Sequence, residues 1–173
     1  MADHYHSGGA IGFVRRPRRP YGADMARDTL SISSGVIEHL HSLGAAVPPH
    51  ATELTTDDYF AFWRALAAGD DRPDLGLSIG LAVFGRSVAG EAALQAQTLG
   101  DALRTLGRYK RLSCPEDVIV EVGDGEAGVR FDWVLATGAV PAILVDAIFA
   151  SHVALVARAT GGAVAPLRLE LAR

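Results

Sequence analysis

Cysteine is almost missing from this chain. A single thiol, Cys114, excludes any intramolecular disulfide, which suits a reducing compartment and sets the expectation of a cytoplasmic protein. Cys114 precedes Pro115 at a helix–strand boundary with no activating base close by in sequence, so it reads as structural. Long hydrophobic runs are missing too. No segment reaches the roughly 18–20 uncharged apolar residues that cross a bilayer; the nearest, residues 139–157, is interrupted by Asp146 and His152. It reads as a buried helix, and no membrane partner is expected.

The chain also lacks catalytic and metal-binding signatures. Gly76, Gly80 and Gly85 are not followed by the Gly-Lys-Ser/Thr ending of a phosphate loop, and read as close-packing and turn positions. His39 and His41 are two residues apart, which puts them on different faces of a helix instead of at the i, i+4 spacing a shared metal prefers. Asp146 and His152, six apart, are out of register for an acid–base pair, and His152 reads as a hydrogen-bonded boundary histidine. With no Ser-His-Asp set or carboxylate pair at useful geometry, the expectation is a protein that is not an enzyme and carries no cofactor and no metal.

Basic charge is scarce in the body of the chain. Residues 28–173 carry 11 basic against 18 acidic groups, which disfavours contact with nucleic acid through that part. Residues 1–27 differ, with five arginines against two aspartates and a run of Arg and Pro without a periodic apolar face. They read as a disordered basic leader. The remaining residues 28–173 are expected to form one domain, with residues 28–70 as a helical subdomain; an apolar content of 49% supports a folded core.

Within that domain the periodicity is clear. Ile32, Val36, Ile37, Leu40 and Leu43 recur at helical spacing before Gly44, and Pro48-Pro49-His50 reads as a rigid connector. A second helix begins near Thr55-Thr56 with a threonine cap, holds Asp57 and Asp58 in its first turn and carries the apolar stripe Tyr59, Phe60, Trp63, Leu66 and Ala67. Asp74 to Leu81 then opens another short helix or a turn-rich segment. The helix from Leu99 to Leu112 puts Leu99, Ala102, Leu103, Leu106 and Tyr109 or Lys110 along one side and ends in the cluster Arg108-Tyr109-Lys110-Arg111, where cations suit the helix dipole. Val118–Val122 and Val129–Leu135 alternate with period 2 and read as a hairpin. The register expected sets Val122 opposite Val129 and Glu121 opposite Arg130. Pro141 opens a long helix, 142–160, apolar nearly all round and therefore covered on more than one side. Leu167-Arg-Leu-Glu-Leu171 alternates again and reads as a third strand. The expected fold is α/β (α+β): a helical subdomain, then an α-β-β-α-β split-βαβ-like unit with a mainly antiparallel sheet.

Asp74-Leu-Gly-Leu77, Thr98-Leu-Gly-Asp-Ala-Leu103, Arg108-Tyr109 with Arg111-Leu112, and the closing Leu167-Arg-Leu-Glu-Leu171 stand in the order and near the spacing of one family. Over roughly residues 28–171 the chain resembles the N-terminal arabinose-binding-type sensor domain of AraC/XylS-family bacterial transcription regulators. The resemblance implies a domain that senses a small-molecule effector and forms a homodimer. It also implies that DNA is bound only through a C-terminal helix-turn-helix module, which is not in this sequence. Effector residues cannot be carried over, because the matching motifs are not a binding signature. An apolar pocket between the hairpin sheet and the helices is expected, with Arg108, Tyr109, Phe131 and Trp133 as candidate lining residues. The alternative function is a protein–protein interaction module that pairs with relatives through helix 142–160 and takes no small molecule.

Overall fold

The computed structural model describes residues 10–12, 28–47, 53–84, 87–123 and 126–171. Most of the expected leader, the Pro48-Pro49-His50 connector and Gly85 lie outside them. Three strands and six helices follow one another as β1 (Ala10–Gly12), α1 (Ser34–Ser42), α2 (Thr56–Ala68), α3 (Leu75–Phe84), α4 (Val88–Leu94), α5 (Leu99–Ser113), β2 (Glu116–Gly123), β3 (Glu126–Trp133) and α6 (Ala142–Ala159). The architecture is mainly helical α+β. Helix α4 had no counterpart in the sequence reading.

Local chemistry explains where the helices begin. The Thr55 hydroxyl accepts from the Asp58 amide at 3.1 Å, and the Asp58 carboxylate accepts from the Thr55 amide at 3.3 Å, forming a reciprocal capping box. Thr98 does the same work for α5 through the Asp101 amide at 3.1 Å. The first residue of α2, Thr56, is itself buried and donates its amide to Asp28 at 2.9 Å. Together with the Leu30–Leu54 bridge, that contact ties the chain before α1 to the start of α2.

The sheet has the order β1-β3-β2, with β1 parallel to β3 and β2 antiparallel to it. Residues 10–12, inside the segment expected to be unfolded, thus supply a short strand. The hairpin forms as expected but in a different register. Val122 pairs with Ala127, Val120 with Val129, and Glu121 with Gly128. Glu121 therefore does not face Arg130, which instead reaches Asp132 at 3.4 Å. The reason is the connection: only Asp124 and Gly125 separate the strands, and Asp-Gly is a favoured two-residue hairpin link, whereas the expected register needed six residues. A slip of two leaves every side chain on its own face, so alternation cannot distinguish the two pairings.

The third strand does not form. Residues 167–171 are not in a strand, and Leu167, Leu169 and Leu171 are exposed. The second edge of β3 is taken by β1, and alternation marks a face without supplying a partner. The arrangement is therefore not the expected split βαβ.

Helix α6 is the centre of the molecule. Leu144, Ala147, Ile148, Ala150, His152, Leu155 and Val156 are buried along it. By length and composition it is apolar enough to cross a membrane, but α3, α2, α4 and α5 all pack against it. The approach of α3 is very close. A Cβ at Gly76 would fall 2.6 Å from the Ile143 carbonyl oxygen, and one at Gly80 only 2.2 Å from that of Ala147. Only glycine fits at either position. Two apolar clusters result. Phe60, Trp63, Leu75, Ile79, Trp133 and Leu144 belong to the first; Leu103, Leu106, Val129, Leu155 and Val156 to the second. Residues of the expected 28–70 subdomain and of α6 share the first.

Gly80→Ala is expected to destabilise the protein by about 1–3 kcal/mol, because the overpacked methyl meets backbone. Gly100→Ala, where the new methyl meets only the end of the Arg104 side chain at 3.4 Å, should be neutral or gain up to about 1 kcal/mol of helix propensity. Urea denaturation of the two variants checks the contrast.

Candidate functional site

The turn from α5 into β2 sets two charged pairs side by side. The last turn of α5 carries Lys110 and Arg111, and β2 opens with Glu116 and Asp117. Lys110 Nζ lies 2.6 Å from Glu116 Oε2, and Arg111 Nε lies 2.6 Å from Asp117 Oδ1. The period of the strand sends neighbouring side chains to opposite faces, so the pairs differ in setting. Glu116 points inward with its side chain fully buried, beside a Lys110 that keeps 26% of its side chain exposed; Asp117 is also buried, but its partner Arg111 stays 57% exposed. A buried carboxylate of this kind must be paired to be tolerated.

Aromatic side chains wall the inner pair. Glu116 is the cross-strand partner of Trp133, on whose ring Tyr59 stacks at 5.6 Å while Phe60 meets it edge-on at 5.1 Å. Trp63, one turn along α2, meets Tyr59 edge-on at 6.0 Å. From α6, His152 stands against Phe131 at 4.3 Å between ring centres. The Lys110 ammonium is the electrostatic hub, influencing Tyr59, Cys114, Glu116 and His152. Desolvation is the largest single influence and opposes its charge, but the charge and hydrogen bond of Glu116, with Cys114 and Tyr59, together outweigh it and hold its pKa above the usual lysine value.

Protonation states follow from this setting. Burial pushes the Tyr59 phenol up to about 12 and the Cys114 thiol up to about 11, so both are neutral at physiological pH. Burial, reinforced by Lys110, lowers His152 to about 3. Its Nδ1 lies 2.6 Å from the Ile148 carbonyl oxygen. A carbonyl only accepts, so Nδ1 carries the proton and Nε2 is a bare acceptor. The thiol is protonated and the lysine cationic, and neither is a nucleophile. The site is suited to binding.

Among the described residues four buried side-chain atoms meet no close hydrogen-bond partner: Trp63 Nε1, which has only the Tyr59 phenol near it, Trp133 Nε1, Glu116 Oε1 and His152 Nε2. Two are donors and two are acceptors. Each unmet group of this kind costs about 1–3 kcal/mol. All four stand on elements that meet around Lys110: α2, β3, β2 and α6.

Of the residues expected to line a pocket, Trp133 and Phe131 belong to this site. Arg108 and Tyr109 do not join them and are exposed on α5, Tyr109 at 38%. Lys110, Glu116, Tyr59, Trp63 and His152 were missed as site residues. One signal was legible: Glu116 shares strand parity with Val118, Val120 and Val122, which sets a carboxylate in an apolar stripe six residues after a lysine. His152 is buried inside the core, not at its boundary. Among the described residues no group of three or more His, Cys, Asp or Glu side chains is placed to hold a metal ion. Away from this site, a shallow cleft of about 170 Å³ opens between α2, α3 and α6, lined by Asp70, Arg72, Gly76 and Asp146 among others.

A family model described as the arabinose-binding domain of AraC transcription regulator, N-term, matches residues 43–173. No curated protein and no solved structure gives a significant match.

Lys110→Met strands the Glu116 carboxylate in the interior and should cost about 3–5 kcal/mol. Adding Glu116→Gln should recover a large part of that loss in chemical denaturation. His152 gives a separate expectation. Its folded pKa of about 3 lies below the ordinary 6.5; between those values the unfolded chain takes up a proton that the folded chain refuses. Stability is therefore lost as pH falls through that window, by about 2 kcal/mol between roughly pH 7 and pH 5. His152→Gln should flatten this part of the profile in denaturation curves across that range.

Proposed function

The chain belongs to the family of N-terminal arabinose-binding domains of AraC transcription regulators, and on that premise we propose that it senses a small-molecule effector in the buried seam around Lys110 and Glu116. The observation that supports this reading is the set of buried polar atoms without a close partner on the elements that meet around Lys110. A protein gains nothing by leaving them unmet, and a ligand with matching groups recovers their cost.

The chemistry narrows the effector class. The Lys110–Glu116 pair balances its own charge, and Tyr59, Cys114 and His152 are neutral. Two indole N–H donors, a carboxylate oxygen and an imidazole nitrogen are left, with aromatic faces beside them. A small uncharged molecule carrying several hydroxyl groups fits that combination, as a sugar of the kind in the family's name would. Phe131 and Trp133 act as walls. Arg108 and Tyr109, on the same stretch of α5 as Lys110, stay on its outer side. The domain acts in the cytoplasm, as a transcription regulator must, and works as a homodimer. DNA is bound by a separate helix-turn-helix module of the regulator and not by these residues, whose charge balance is acidic.

Both tryptophans of the chain stand in the site, so intrinsic fluorescence reports its occupancy directly. Titration with pentoses and small polyols should shift the emission. It should also raise the melting temperature, by the equivalent of about 2.7 kcal/mol at a hundredfold excess over Kd. Glu116→Gln, which keeps the shape and removes the charged acceptor, should weaken binding about tenfold or more. If neither readout moves with any such compound, the sensing reading fails.

A further inference from the structure

Among the described residues, the segment 167–171 joins no strand. Its three leucines are 68%, 46% and 37% exposed, and it pairs with no strand of the sheet described. Its order, Leu-Arg-Leu-Glu-Leu, is self-complementary. When two copies run antiparallel with Leu169 facing Leu169, Leu167 meets Leu171 and Arg168 meets Glu170, twice over. Other registers fail. A slip of one residue sets leucine against charge, and a slip of two sets Arg168 against Arg168 or Glu170 against Glu170. A parallel pair in register aligns like charges. An interface in which residue i meets j and j meets i is what a two-fold axis requires.

We propose that the segment 167–171 of two copies pairs as antiparallel strands about a two-fold axis at Leu169, forming a homodimer contact of this protein. This inference rests on the dimerising part of the function proposed above and names its surface. Within one copy Arg168 Nε already meets Glu170 Oε1 at 2.8 Å. Dimerisation exchanges those contacts, one in each copy, for two between copies, so the charges add no new pairs but choose partner and register. The attraction comes from covering the leucines and from the backbone hydrogen bonds of the new ladder. A strand pair this short is at the small end of specific interfaces, so association depends on concentration.

Sedimentation of the full chain over a concentration series tests the contact. Wild-type protein should self-associate. Leu169→Lys, Arg168→Glu and Glu170→Arg should each raise the dimer dissociation constant about tenfold or more, because like charges then face each other or a charge enters the apolar row. All three substitutions are at exposed positions, and unchanged melting curves of the monomers verify the fold. The decisive arm mixes the Arg168→Glu and Glu170→Arg proteins in equal amounts. Opposite charges then face each other in the mixed pair, and association should return to near the wild-type level. Loss of the dimer without recovery on mixing overturns the register. A dimer indifferent to all three substitutions overturns this surface and leaves dimerisation standing. A wild type that is monomeric at every concentration overturns both, while the fluorescence titration judges effector sensing independently.

Discussion

An eighteen-residue helix with apolar side chains on nearly every side must be kept from water, and the molecule is built around that requirement. On one side of α6, Gly76 and Gly80 remove the side chains of α3 so that the helix backbones nearly touch. On another, Phe131 from β3 meets Phe149 edge-on at 5.6 Å. Helices α2, α4 and α5 take other parts of its surface. Close packing of this kind has no slack. It draws His152 into the dry interior with the rest of the helix, where burial keeps the imidazole uncharged and leaves one ring nitrogen unmet.

The corner between α5 and β2 meets that helix with a second constraint. Glu116 belongs to the inward face of its strand, so pairing with the rest of the sheet forces its carboxylate into the core. Lys110 reaches back from the last turn of α5 and satisfies one oxygen. The other oxygen, two indole N–H groups and the His152 nitrogen are left as a partly satisfied network, the costliest kind of interior. A partly satisfied network with rigid aromatic walls is weakly stabilising by itself and well prepared for an occupant. Because its members come from α2, α5, both strands of the hairpin and α6, an occupant would bear on every layer of the domain at once. That is a useful property in a part of a regulator whose task is to report what it binds.

The segment after α6 contrasts with this interior. Its leucines alternate as cleanly as those of β2 and β3, yet they stay on the surface. Alternation states that one side is apolar. It leaves open whether the covering surface comes from the same chain or from another.

Much was legible in the sequence, and what was legible is local. The threonine cap near Thr55 acts through a contact three residues away. The apolar spacing of residues 99–112 and 142–160 requires a helix because 3.6 residues make a turn, and Val118–Val122 requires a strand because side chains alternate. The family could be read from short motifs in order, and the match over residues 43–173 agrees. Tertiary structure decided the rest. The hairpin register differs by two residues because a slip of two preserves every face, and only the length of the connection separates the alternatives. The Leu167–Leu171 strand is missing because a strand needs a neighbour, and its own pattern does not name one. Above all, the site was invisible as a site. Tyr59, Trp63, Lys110, Glu116 and His152 are spread over 94 positions of the numbering, and each alone reads as core, dipole complement or boundary residue. Only the packing of α2, α5 and α6 against the hairpin brings these elements together around Lys110, since contact depends on distance in space and not on distance along the chain.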